Sequence, residues 1–183
     1  MKSIKEGSLL FKFDNKWNVF KFDVHNFYRN KIGRLDKTKA VDILGIYERE
    51  LYFIEIKDFR AHRIENKNRI KNGDLAIEIA QKVRDSVACI VGAWRTEEIW
   101  KSYAGLLYDR KKKLKVIIWL ETDELPACYY MRQKVRASVS TKVFKKKIAW
   151  LTSHVLVCSL KINDLPGVEV CNLKKTNNLL EHC

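Results

Sequence analysis

The sequence lacks any apolar run long enough to cross a bilayer. The longest, Val116 to Leu120, falls far short of the roughly 20 residues a span requires. Its first residues, MKSIKEGS, carry no apolar signal region, so a cytoplasmic protein with no membrane partner is expected. Paired cysteines are missing as well. The five present, Cys89, Cys128, Cys158, Cys171 and Cys183, are odd in number and show no C-x-x-C spacing, which argues against a disulfide framework and a zinc ribbon. Cys89 and Cys158 lie in apolar runs and read as small core residues. His25, His62, His154 and His182 show no ligand spacing among themselves or with cysteine. Acidic residues are scarce: 22 Asp and Glu stand against 36 Lys and Arg, and the resulting charge of +14 suits a polyanionic partner. From Leu125 to Asn163 acids are absent altogether. No repeat, linker or low-complexity stretch divides the 183 residues, so one domain over 1–173 is expected, followed by a polar tail over 174–183.

What the sequence does have is a hairpin pattern from Val41 to Lys57. Tyr52, Ile54 and Ile56 alternate with Phe53, Glu55 and Lys57, and the period of two sends Glu55 and Lys57 to one face of a strand. A turn centred on Glu48-Arg49 pairs Ile46 with Leu51, and counting outward sets Asp42 opposite Glu55. Glu-Arg is poor chemistry for a tight hairpin turn, which favours Asn-Gly or Asp-Gly. Two facing carboxylates repel, so a positive group is expected between them. Mg²⁺ or Mn²⁺ fits that place, because such ions take one or two carboxylates and fill the remaining positions with water and phosphate oxygens. Asp42 and Glu55 are then the metal ligands. Lys57 would serve an attacking water or developing negative charge.

Asp42 and Glu55-Ile56-Lys57 resemble the motif of the PD-(D/E)xK superfamily, the restriction-endonuclease-like nucleases, with Val41 where that family has proline. The resemblance implies a single α/β domain with a mixed central sheet flanked by helices, a divalent metal, and hydrolysis of phosphodiester bonds. The expectation is a Mg²⁺-dependent endonuclease acting on DNA, with Asp42, Glu55 and Lys57 catalytic. It also implies accessory site residues: Glu6 on a first helix, the only glutamate before Asp42, and Gln81 on the helix after the motif, where Gln81 and Lys82 both stand on the polar stripe of Glu78, Gln81, Lys82 and Asp85 and Gln81 is the one retained. The alternative is a basic nucleic-acid-binding protein on the same fold that does not cleave. Pairing of two copies as a homodimer is left open.

The remaining chain reads as supporting elements. Lys2 to Phe13 is expected to be a short amphipathic helix weakened by Gly7, and Trp17 to Phe22 a strand. The stretch after Lys57 offers Arg60, Arg63, Lys67, Arg69 and Lys71 to a phosphate backbone. A helix over Leu75 to Val91 is expected, capped by Asp74 and stopped by Gly92, and Thr96 caps a second. Leu114 to Glu121 is apolar on both faces and reads as a central strand. Arg132, Lys134, Arg136, Lys142, Lys145, Lys146 and Lys147 form a basic helical face, the second candidate surface for nucleic acid. Late strands over Val155 to Leu160 and Val168 to Leu173 are expected in the same mixed sheet as the 41–57 hairpin and Leu114 to Leu120.

Overall fold

The computed structural model describes residues 1–60, 69–70, 72–123 and 141–173. Period-two burial builds most of it. In β5 (Glu50–Asp58), Tyr52, Ile54 and Ile56 point to one side of a five-stranded sheet, and Leu51, Phe53, Glu55 and Lys57 to the other. Its order is β3 (Asn18–Lys21), β4 (Ile43–Tyr47), β5, β6 (Leu114–Glu121) and β7 (Val155–Cys158). β3, β4 and β5 run antiparallel, whereas β5, β6 and β7 are parallel neighbours. A parallel pair needs a long crossover. Between β5 and β6 that crossover contains α2 (Asp74–Trp94) and α3 (Lys101–Tyr108), the first helix of the chain being α1 (Asn26–Asn30). β6 has parallel neighbours on both sides and is nearly buried throughout, as its doubly apolar sequence predicts.

Each face of this sheet carries its own core. On the helical face Leu44, Leu51, Phe53, Val116 and Ile118 pack with Ile79, Val83 and Ile90 of α2, and with Phe144 and Ile148 of the helical residues 141–148. On the other face Ile43, Tyr52, Ile54 and Trp119 pack with Leu9, Phe11, Phe13 and Trp17. Leu9, Phe11 and Phe13 belong to a second, three-stranded sheet of order β1 (Lys2–Glu6), β2 (Leu9–Phe13) and β8 (Val168–Asn172). The result is a single α/β domain with a mixed sheet, helices on one side and a small sheet on the other.

Four local expectations are corrected. Lys2 to Phe13 is a hairpin, because Leu9, Phe11 and Phe13 alternate into the core and Gly7, at φ 54°, makes the turn. β8 joins the small sheet against β2 and leaves the main one. α2 runs past Gly92 to Trp94, since the glycine is exposed and nothing opposes it. Thr96 donates its hydroxyl back to the carbonyl of Ala93 at 3.1 Å, and the next helix starts only after a 3-10 turn over Glu98–Trp100.

The β4–β5 hairpin has the expected register, Ile43 opposite Ile54 and Ile46 opposite Leu51. Its turn forces Glu48 and Arg49 to φ 47° and 65°, a left-handed conformation that disfavours side chains. Glu48 pairs with Lys16 at 3.2 Å, but both side chains are largely exposed, so little is lost with that contact. The double substitution Glu48→Asn, Arg49→Gly is therefore expected to raise the thermal midpoint by about 2–4 °C, for a gain of ~1 kcal/mol. A melting curve unchanged or lowered by the exchange would show that the turn is not strained.

Candidate functional site

The register of β4 and β5, extended by one residue, sets Asp42 opposite Glu55 on the face that meets α2. Glu55 is fully buried and Asp42 nearly so. Asp42 Oδ2 accepts the Ile56 backbone N–H at 2.7 Å, which clamps this carboxylate across the ladder. α2 holds the approaching chain. Asp85 Oδ2 accepts the Lys39 N–H at 3.1 Å, and Ser86 Oγ accepts the Val41 N–H at 3.0 Å while donating to the Lys82 carbonyl at 2.7 Å. Asp85 and Ser86 lie three and four residues after Lys82, so one helix face both positions the strand and faces the carboxylates.

The positive group demanded by the facing acids is a lysine. Lys82 Nζ stands 2.7 Å from Glu55 Oε1 and 3.3 Å from Asp42 Oδ1. Lys57 Nζ lies 3.0 Å from the same Glu55 oxygen and 3.0 Å from Glu78 Oε1, and Glu78 Oε2 takes the Arg69 guanidinium at 2.6 Å. Three carboxylates thus face three cations in one connected cluster. Burial, reinforced by the charge of Asp42, pushes Glu55 up to about 7 against the opposing pull of Lys82 and Lys57. Burial alone would lower Lys82, yet Glu55 and Asp42 outweigh it and leave its ammonium above the ordinary range. Glu78 is raised by burial but lowered further by Lys57 and Arg69, and ends below the usual carboxylate range.

Whether a divalent cation suits this arrangement turns on Glu55. Its Oε1 is held by Lys82 at 2.7 Å and by Lys57 at 3.0 Å, whereas its buried Oε2 has no donor among the described residues. That one orphaned acceptor, beside an Asp42 oxygen that Lys82 holds, fits a hard cation. Among the described residues no group of three or more His, Cys, Asp or Glu side chains is placed to hold a metal ion together. Two carboxylates completed by water or phosphate oxygens match Mg²⁺ better than a closed zinc site.

The structure brings together Asp42, Glu55 and Lys57, as the hairpin count predicts, but rearranges their helpers. Gln81 is exposed on α2 and lies outside the cluster, while Lys82 and Glu78 enter it. The missed signal is the spacing of 78, 82, 85 and 86, one stripe on a helix whose apolar face is already assigned. Glu6 ends a strand and pairs with Lys21 at 2.7 Å beside Asp23, whose carboxyl burial pushes up; among the described residues it makes no direct contact with Asp42 or Glu55, although the charge of Asp42 acts on both Lys21 and Asp23. Arg60 is a structural tie between the sheets, gripping Asp58 at 2.5 Å and Asn172 at 2.6 Å, and its hydrogen bonds hold Asp58 down to about 2. Arg69 is drawn to Glu78. Lys142, Lys145, Lys146 and Lys147 are exposed as expected, since Phe144 and Ile148 turn the opposite side of their helix into the core. Arg63, Lys67, Lys71, Arg132, Lys134, Arg136 and the tail over 174–183 lie outside the described residues.

No protein-family model matches the chain, and no solved structure matches it. It is similar to a cysteine–tRNA ligase of Neisseria meningitidis serogroup A, 30% identical over 175 residues covering 79% of this chain. The chain spans about a quarter, 25%, of that relative's length. This similarity overturns the expected function. The relative is a tRNA ligase, which points away from a nuclease, endonuclease or hydrolase and gives no support to DNA as the partner or to a homodimer. Among the described residues no helix is long and apolar enough to cross a membrane.

Proposed function

We propose that this domain binds RNA of the tRNA class, and that its share in the work of a tRNA-handling enzyme lies at the RNA. The similarity to a cysteine–tRNA ligase over 79% of the chain carries this reading. The charge of +14 and the exposed Lys142, Lys145, Lys146 and Lys147 support it, because phosphate neutralisation supplies most of the affinity for nucleic acid. Asp42 and Glu55 are the residues that would hold a divalent cation, which supplies positive charge between the buried carboxylates and an RNA phosphate. Lys57 and Lys82 keep those carboxylates neutralised when no cation is bound. The resemblance of Asp42 and Glu55-x-Lys57 to the PD-(D/E)xK superfamily is offered as kinship of fold, supported by the pairing of the two acids across the hairpin.

Binding of the purified chain to tRNA is the test, followed by fluorescence anisotropy at several salt concentrations. Affinity is expected to fall steeply with salt, and reversal of Lys145, Lys146 and Lys147 to glutamate to weaken binding and flatten the salt slope by roughly 1 per lysine. Duplex DNA of similar length competing as well as tRNA would overturn the RNA reading. Indifference of affinity to the triple reversal would remove this face from the interface.

A further inference from the structure

A groove of about 320 Å³ opens between α2 and the residues following the 141–148 helix, lined by Ile77, Ala80, Gln81, Arg84, Lys147 and Trp150. It lies away from the carboxylate cluster, which is built from Glu78 and Lys82 on the neighbouring stripe of the same helix. Its floor is apolar and unusually open: Ile77 is 42% and Trp150 54% exposed, although large apolar side chains gain most when covered. Its rim is basic. Arg84 is held in place by Asp85, with Nε and a terminal nitrogen each 2.8 Å from Oδ1, while its side chain stays largely in solvent. Lys147 borders the groove, and Lys145 and Lys146 are exposed beside it on the same helical segment.

We propose, resting on the RNA-binding reading above, that this groove is a subsite for one unpaired RNA base, stacked on Trp150 and read by Gln81. Arg84 and Lys147 would take the flanking phosphates. A single base fits the groove, whose volume stands at the small end of ligand clefts, which run from about 300 to 1,000 Å³. An exposed aromatic flanked by cations is the chemistry that captures splayed nucleotides, because every base offers a π-face and carries a phosphate on each side. An apolar peptide would find the same floor but no use for the basic rim. The Gln81 amide, with both donor and acceptor, can pair with a base edge.

The test compares two RNA hairpins identical except that one carries a single bulged nucleotide, titrated against wild type, Trp150→Ala and Trp150→Phe. Wild type should prefer the bulged hairpin. Trp150→Ala should lose about 5- to 150-fold in affinity for that probe, with little change for the paired one and an unchanged salt slope, and Trp150→Phe should keep most of the preference. Because Trp150 is largely exposed, both variants should melt as wild type does, which separates lost stacking from lost fold. Equal binding of both hairpins by wild type, or an unaltered preference in Trp150→Ala, overturns the subsite while RNA binding stands. Failure of wild type to bind either hairpin or tRNA overturns the subsite together with the RNA reading.

Discussion

Replacing Lys82 by methionine is expected to lower the thermal midpoint at pH 8 by on the order of 10 °C. The substitution nearly preserves volume and apolar contact, so it isolates the charge. It leaves Asp42 and fully buried Glu55 facing each other with Lys57 as the one cation in contact with Glu55 among the described residues, and breaking a buried pair by removing one partner costs about 3–5 kcal/mol. At 2–4 °C for each kcal/mol in a chain of this size, roughly 10 °C follows. The loss should shrink below pH 6, where protonation neutralises Glu55. Adding Glu55→Gln should recover part of it, because it removes the charge facing Asp42, whose carboxylate then keeps the Ile56 N–H but no lysine. Melting of Lys82→Met at pH 8 indistinguishable from wild type would mean that Lys82 does not neutralise the pair.

The second large effect is a fall in stability as pH rises from about 4.5 to 7. Glu55 has a pKa of about 7 in the folded protein against an ordinary 4.5, so in that window the folded state holds a proton that the unfolded state has released. Its contribution is fully present below pH 4.5 and is lost as pH passes 7. The difference between the two pKa values corresponds to about 3 kcal/mol. Glu55→Gln cannot titrate, so the stability of wild type minus that of the variant should decline through this window and level off above it. Millimolar Mg²⁺ should stabilise wild type at pH 8 more than at pH 5.5, because the cation needs the ionised carboxylate, and should do so far less in Glu55→Gln. A pH-independent difference would contradict the raised pKa of Glu55, and equal Mg²⁺ stabilisation of both proteins would place the cation elsewhere.

How the site is assembled separates local from non-local information. The pairing of Asp42 with Glu55 follows from the alternation over Tyr52 to Lys57 and from a turn that leaves Ile46 opposite Leu51, both of which are counted along a few consecutive residues. The need for positive charge between two facing acids is equally local. Its source is not: Lys82 comes from a helix 27 positions after Glu55, and the choice between Lys82 and Gln81 depends on how α2 is rotated against the sheet. That rotation is set by Ile79, Val83 and Ile90 packing onto β5 and β6, a contact no local window contains.

By itself the sequence determined the hairpin and its register, the long amphipathic α2, the doubly apolar β6 and a basic surface suited to a polyanion, because periodicity and net charge are properties of neighbouring residues and of composition. Only the tertiary structure decided that Lys2 to Phe13 is a hairpin, that β8 pairs with β2, and that Lys57, Lys82 and Arg69 neutralise Asp42, Glu55 and Glu78. For β8 on β2 and for Lys82 on Glu55 and Asp42 the deciding interaction joins residues far apart in the chain. Burying Leu9, Phe11 and Phe13 against Trp119, or two carboxylates against a lysine, stabilises the fold only once the distant partner is in place.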